Sequence, residues 1–232
     1  MGQEITGYGS RFWYFAHNRP LEVPWDTEAV VLSIKIKKKE PINTRRDLLS
    51  IMSSVYDPLG LISPIVLQAK IIMQDECRLG KGRDEPMDES NVVKWHKWLK
   101  ELPMLEGYHV NRCFVPDFGE IKTSELHHFA DASQEGSGCV SYIRLVNHIG
   151  QVHCAFVTGE AIVAPIKTMT IPRLELQAAV LAVKINKAIA RELTLKVDDT
   201  GLTLGWPCAT SETKQEDSGS LLLTGLARYM NV

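Results

Sequence analysis

Two acids stand where paired carboxylates could do chemistry. Asp131 ends a predicted strand within the run His127-His128-Phe129-Ala130-Asp131-Ala132-Ser133, and Glu175 lies in the first turn of a predicted helix, in Pro172-Arg173-Leu174-Glu175-Leu176-Gln177-Ala178. Two carboxylates converging on one point are costly unless a cation or a proton neutralises them. Mg²⁺ favours such hard oxygen ligands and keeps waters that a substrate phosphate can replace. A two-metal site of that kind activates water and steadies the leaving oxygen during phosphodiester hydrolysis. The plain alternative is a turn Asp and a Glu at a helix start, where the dipole stabilises an acid without any metal.

The other chemical motifs are weaker. Asp217-Ser218-Gly219 is the aspartic-protease tripeptide. That motif needs a hydrophobic strand before it to bury a proton-sharing pair. Lys214-Gln215-Glu216 stands there instead, so the match is read as chance. His127 and His128 are adjacent on a strand and point to opposite faces, with no third ligand at short spacing; structural histidines are expected. Ser133 and Ser137 have no base nearby in sequence. No phosphate-cradling glycine loop occurs, so no small-molecule cofactor is expected. Cys77, Cys113, Cys139, Cys154 and Cys208 are scattered and odd in number, which fits free thiols better than zinc or a disulfide framework.

A formal charge of −2 argues against a strongly basic nucleic-acid binder. A local cluster could still reach phosphates: Lys35, Lys37, Lys38 and Lys39, followed by Arg45 and Arg46, with a solvated strand end as the plain alternative. With 44% hydrophobic and 23% charged residues, the composition suits a globular chain with a sizeable core. No apolar run is long enough to span a bilayer, and Met1-Gly2-Gln3-Glu4 lacks the features of a secretory signal. An intracellular protein, neither secreted nor membrane-spanning, is the expectation. Gly2 and Thr6 alone do not make a lipidation signal.

The elements that must position Asp131 and Glu175 are legible in outline. Residues 29–36 read as a strand. Asn43 or Thr44 caps a helix to about Val55, and Tyr56-Asp57-Pro58-Leu59-Gly60 stops it. Ser63 caps a second helix with Pro64 in its first position; Ile65, Ala69, Ile72 and Leu79 share a face, and Gly80 ends it. A third helix spans about 89–102, with Val92, Trp95, Leu99 and Leu102 spaced for a core rather than a stacking platform. Then the period changes. Leu126–Ala130, Cys139–Leu145 and Val152–Val157 read as three strands. A helix opens at Pro172 and runs to about Ala190 on a seam of Leu174, Ala178, Leu181, Ile185 and Ala188. Lys184, Lys187 and Arg191 favour its C-terminal end, and small Ala179 and Ala182 on the Glu175 face would let it lie close to the first strand. An α+β fold follows. From about Thr200 the sequence shows no convincing period.

Several runs, in order, resemble one family. They are Arg46-Asp47-Leu48-Leu49-Ser50, Ser54 through Pro64, Glu125 through Ser133, Val163-Ala164-Pro165 and Ile171 through Leu176. Together they resemble BEL/Pao retrotransposon polyproteins just beyond the reverse transcriptase palm, nearly continuously from about Trp25 to Thr200. The resemblance implies an N-terminal segment with a palm-end strand (1–40) and a helical thumb or connection region (41–115). It further implies a truncated RNase H-like mixed sheet with a packed helix (116–200) and an aberrant tail (201–232). It makes Asp131 and Glu175 metal ligands for Mg²⁺ or Mn²⁺, acting on RNA·DNA hybrids. In working enzymes of this kind a further Asp follows on the fourth strand; here Lys196-Val197-Asp198-Asp199-Thr200 leads into Gly-Leu-Thr-Leu-Gly-Trp-Pro-Cys. The expectation is therefore a lost fourth strand, with Asp198 and Asp199 in the turn before it, and little or no cleavage. No Tyr-x-Asp-Asp occurs, so no DNA synthesis is expected. The alternatives are a non-catalytic nucleic-acid-binding or assembly module and a pseudogene product without a selected function.

Overall fold

The computed structural model describes residues 25–26, 31–34, 43–111, 113–115 and 117–205. Lys35, Lys37, Lys38, Lys39, Cys208 and Asp217 lie outside the described residues. A small antiparallel sheet joins β1 (Trp25–Asp26), β2 (Val31–Ser33) and β3 (His109–Asn111) in that order. β2 falls inside the expected strand.

Three helices follow. The first, α1 (Arg45–Ser54), begins where Thr44 accepts a hydrogen bond from the Asp47 amide, as expected of a threonine cap. Next, α2 (Ser63–Arg78) starts one residue earlier than predicted: Ser63 is already helical and Ile62 is the cap residue, with no side-chain bond. The Asp57 carboxylate does that work from the preceding turn, accepting from Leu61 N at 2.8 Å and Ile62 N at 2.9 Å. Ala69 and Ile72 are buried, but Leu79 at the frayed end is exposed. The third, α3 (Glu89–Glu101), is capped by Asp88 and followed by a 3₁₀ turn over Leu102–Gly107.

Leu48, Ile51, Ala69, Ile72, Met87, Trp95, Trp98 and Leu102 form one core. Each large side chain there contributes about 1.5–3 kcal/mol by leaving water. Trp95 and Trp98 stack at 5.0 Å, and the Trp98 indole donates to the Ile65 carbonyl at 2.8 Å, so both are core residues.

The larger sheet holds β4 (Ile121–Ala132), β5 (Gly136–Asn147), β6 (Val152–Val163) and β7 (Asp199–Leu204), in the order β6-β5-β4-β7. The first three are antiparallel, and β7 lies parallel to β4. α4 (Ile171–Glu192) covers one face. Leu126, Ala130, Ile143, Leu145 and Val157 meet Ala178, Leu181, Ala182, Ile185 and Ile189 there. Ile189 takes the place expected of Ala188, which is exposed. This is the α+β arrangement read from the sequence. β7 corrects that reading: a fourth strand does form, so residues 201–204 belong to the sheet rather than to a tail. Its side chains are almost all exposed and it carries no alternating pattern, so only pairing with the β4 backbone defines it.

The helices cover the β6 edge of this sheet. Leu59 O accepts from Gly159 N at 2.7 Å and from Thr158 Oγ1 at 3.0 Å. Lys70 Nζ reaches Ala161 O at 3.1 Å, and Gln74 Nε2 reaches Ala164 O at 2.5 Å. An edge strand otherwise offers unpaired amides and carbonyls to other chains. Gly60 has to be glycine here: its φ is +72° and an added Cβ would lie 1.7 Å from Gly159 O.

Candidate active site

Topology brings three element ends together. β4 runs towards Asp131, which pairs with Gly138, and Gly138 pairs with Ala161 near the end of β6. The link from β6 into α4 therefore starts at the Asp131 end of the sheet, and α4 begins there. β7, parallel to β4, also runs towards this end: Ala130 pairs with Leu204, and Gly205 N donates to Ala130 O at 2.9 Å.

Asp131 and Glu175 are thus at the same end of the sheet, and both are exposed. α4 starts at Ile171, so Glu175 falls in its second turn rather than its first. Buried Ala182 and half-buried Ala179 do let that side of α4 lie close to the sheet. Burial alternates along β4, with Ser124, Leu126, His128 and Ala130 facing α4. Asp131 is out of phase with them, and its Oδ1 accepts from Ala132 N at 2.8 Å.

Among the described residues the third element end supplies no acid. Leu204 and Gly205 stand beside Ala130 and Asp131, while Asp199 pairs with Glu125, six residues back along β4. At about 3.3 Å per residue that is about 20 Å from Asp131. Asp198 precedes the strand, as expected, and is otherwise engaged. Its Oδ2 accepts from Ser124 N at 3.0 Å, which holds the carboxyl below the usual range, and the Ser124 hydroxyl bonds the Lys196 carbonyl. Among the described residues no three His, Cys, Asp or Glu side chains are grouped to hold a metal ion. Two exposed carboxylates are too few to hold a pair of metal ions about 4 Å apart, so the described residues do not by themselves fit a two-metal site.

Sequence reasoning missed a buried polar line beneath this end. His128, 1% exposed, has Nδ1 at 2.7 Å from Ser141 Oγ and Nε2 at 3.2 Å from Asn186 Oδ1. Burial holds its pKa below the ordinary histidine value, against the raising effect of Asn186. Ser141 and the His128 ring are both buried, and the line ties α4 to β4 and β5. Polarity at positions 128, 141 and 186 was visible, but only pairing across three elements shows that they meet. His127 faces the other way, as expected, with Glu125 at 3.1 Å; Arg144 also donates to Glu125. The His127 and Arg144 contacts hold the Glu125 carboxyl low.

Of the expected phosphate contacts, Arg46 makes a two-pronged ion pair with Asp84 at 2.5 and 2.8 Å, and Arg45 donates to Lys81 O at 2.8 Å. The described cysteines Cys77, Cys113, Cys139 and Cys154 are free thiols, and burial pushes Cys139 up to about 11. No described helix is long and apolar enough to cross a membrane.

A central acid-bearing strand has antiparallel neighbours on one side and a parallel one on the other. With a helix rising from the same end, this defines an RNase H-like unit, a class that generally uses divalent metal ions. Residues 44–203 match the family model described as the Pao retrotransposon-like RNaseH-like domain, and the chain belongs to that family. The matched span takes in the three helices, α4 and all of the larger sheet but Leu204. No curated protein matches the chain.

Proposed function

We propose that this chain is a piece of a Pao-type Pol polyprotein whose RNase H-like unit keeps the fold of a nuclease without its cleavage activity. The parent activity is Mg²⁺-dependent hydrolysis of RNA in RNA·DNA hybrids, with Mn²⁺ as a substitute. In that reading Asp131 and Glu175 are the two retained ligand positions. The observation that carries the proposal is the β4–β7 register, which sets Leu204 and Gly205 beside Asp131 and sends Asp199 to the far end. The three helices are, in the same reading, the connection between a polymerase thumb and the nuclease sheet; their hydrogen bonds to β6 support it.

The test is cleavage of an end-labelled RNA·DNA hybrid by the full chain with Mg²⁺ or Mn²⁺, beside Asp131→Asn and Glu175→Gln. No cleavage by a cooperatively folded chain is the expected result. Cleavage that both substitutions abolish would mean that the site is complete and the proposal wrong.

A further inference from the structure

α4 carries more than the seam that packs on the sheet. Arg173, Lys184, Lys187 and Arg191 are all exposed and, at about 100° per residue, fall within an arc of about 60° opposite that seam. Eighteen residues at about 1.5 Å each make the row about 27 Å long. The two acids of the helix, Glu175 and half-buried Glu192, lie off this arc.

None of the four cations forms an ion pair among the described residues. Several other cations are committed to acids: Arg46 to Asp84, Arg78 and Lys94 to Asp75, Arg144 to Glu125, Lys196 to Asp198. In a chain of net charge −2, one helix face thus carries cations and no acid, with exposed Val180 between Arg173 and Lys184. Lys184, Lys187 and Arg191 also do more than favour the helix dipole, which acts only within the last turn. Such a row can neutralise phosphates of a polyanion and release the cations condensed on it, with a gain in entropy.

The charge pattern favours one occupant over the others. A second copy of α4 would set like charges against each other. An acidic amphipathic helix would need an apolar seam along the face; exposed Leu176, Val180 and Val183 begin one, but beyond Val183 the outward positions are Lys184, Lys187 and Arg191. A phosphate backbone needs only the charges, and about 27 Å spans about eight phosphates of one strand of a duplex.

We infer that the outer face of α4, from Arg173 near the Asp131 end to Arg191 at the far end, is a nucleic-acid backbone contact independent of cleavage. It reads no sequence, because phosphate contacts carry none.

The test is equilibrium binding of the full chain to a 20-base-pair RNA·DNA hybrid and to duplex DNA of the same sequence, followed by anisotropy in EDTA. Each phosphate contact contributes about −0.9 to the slope of log affinity against log salt. Neutralising three cations (Lys184→Gln, Lys187→Gln, Arg191→Gln) should make the slope shallower by about 2.7. With four contacts, affinity should fall about a hundredfold from 50 to 200 mM salt, but only about fourfold if one remains. Since the three side chains are exposed, the variant should keep the parent's melting curve. Arg46→Gln should leave the slope unchanged.

Absence of salt-dependent binding, or an unchanged slope in the triple variant, would overturn the inference. So would capture of an acidic leucine-bearing peptide by a chain that ignores both duplexes. EDTA removes cleavage from the readout, so this result stands apart from that of the cleavage assay.

Discussion

Asp199 pairs with Glu125, not with Asp131, across the parallel strands β4 and β7. That register puts the chain's candidate third acid at the wrong end of the sheet. Filling it with metal should therefore do little. At 10 mM Mg²⁺, a site with a Kd near 1 mM would stabilise the fold by about 1.4 kcal/mol. We expect no Mg²⁺-dependent shift of the calorimetric melting temperature, and Asp131→Asn or Glu175→Gln should change stability by less than about 0.5 kcal/mol, as exposed positions do. A melting shift that rises with Mg²⁺ and vanishes in either variant would show a working site.

Gly60 and Gly80 separate backbone strain from collision. Both have positive φ, +72° and +70°, but an added Cβ meets Gly159 O at Gly60 and nothing within 4 Å at Gly80. Gly80→Ala should cost about 1–2 kcal/mol from the left-handed conformation alone. Gly60→Ala should cost at least about 2 kcal/mol more, since backbone has to move off backbone. Denaturant midpoints compare the two, and equal losses would mean that the β6 contact contributes nothing.

The Asp57 carboxylate organises the turn that presents the Leu59 carbonyl to β6. Asp57→Ala leaves the Leu61 and Ile62 amides without their acceptor, at a cost of about 1–3 kcal/mol. Hydrogen exchange should then speed up at Gly159 N, whose partner is Leu59 O. Unchanged protection at that amide would separate the turn from the edge contact.

Stability should fall with acid through buried His128 and half-buried His153. His128 and His153 are both held below their ordinary pKa by burial. The unfolded chain therefore binds more protons than the folded one as pH drops below about 6.5, and stability is lost from there down to the folded values. Unfolding midpoints between pH 7.5 and 5.5 should show this slope. His128→Gln should flatten it in part and the double variant with His153→Gln further. A slope that neither substitution changes would place the titrating groups elsewhere.

What the sequence determined by itself was whatever is written in local spacing. A cap at Asn43 or Thr44, the 3.6-residue seams of α2 to α4, the strand character of β4 and the core role of Trp95 and Trp98 all follow from side chains near each other in the chain. Those signals were enough for the α+β class, and the ordered motifs pointed to the family. The tertiary structure alone decided how distant backbones pair. β7 has neither alternation nor buried side chains, so its existence depends on hydrogen bonds to β4 that no local pattern encodes. Its register, which separates Asp199 from Asp131, comes from the same pairing. The line from Ser141 through His128 to Asn186 joins three elements, and the Gly60 contact with Gly159 bridges the helices and the sheet. Both depend on which surfaces meet, a long-range outcome of packing that residue spacing does not specify.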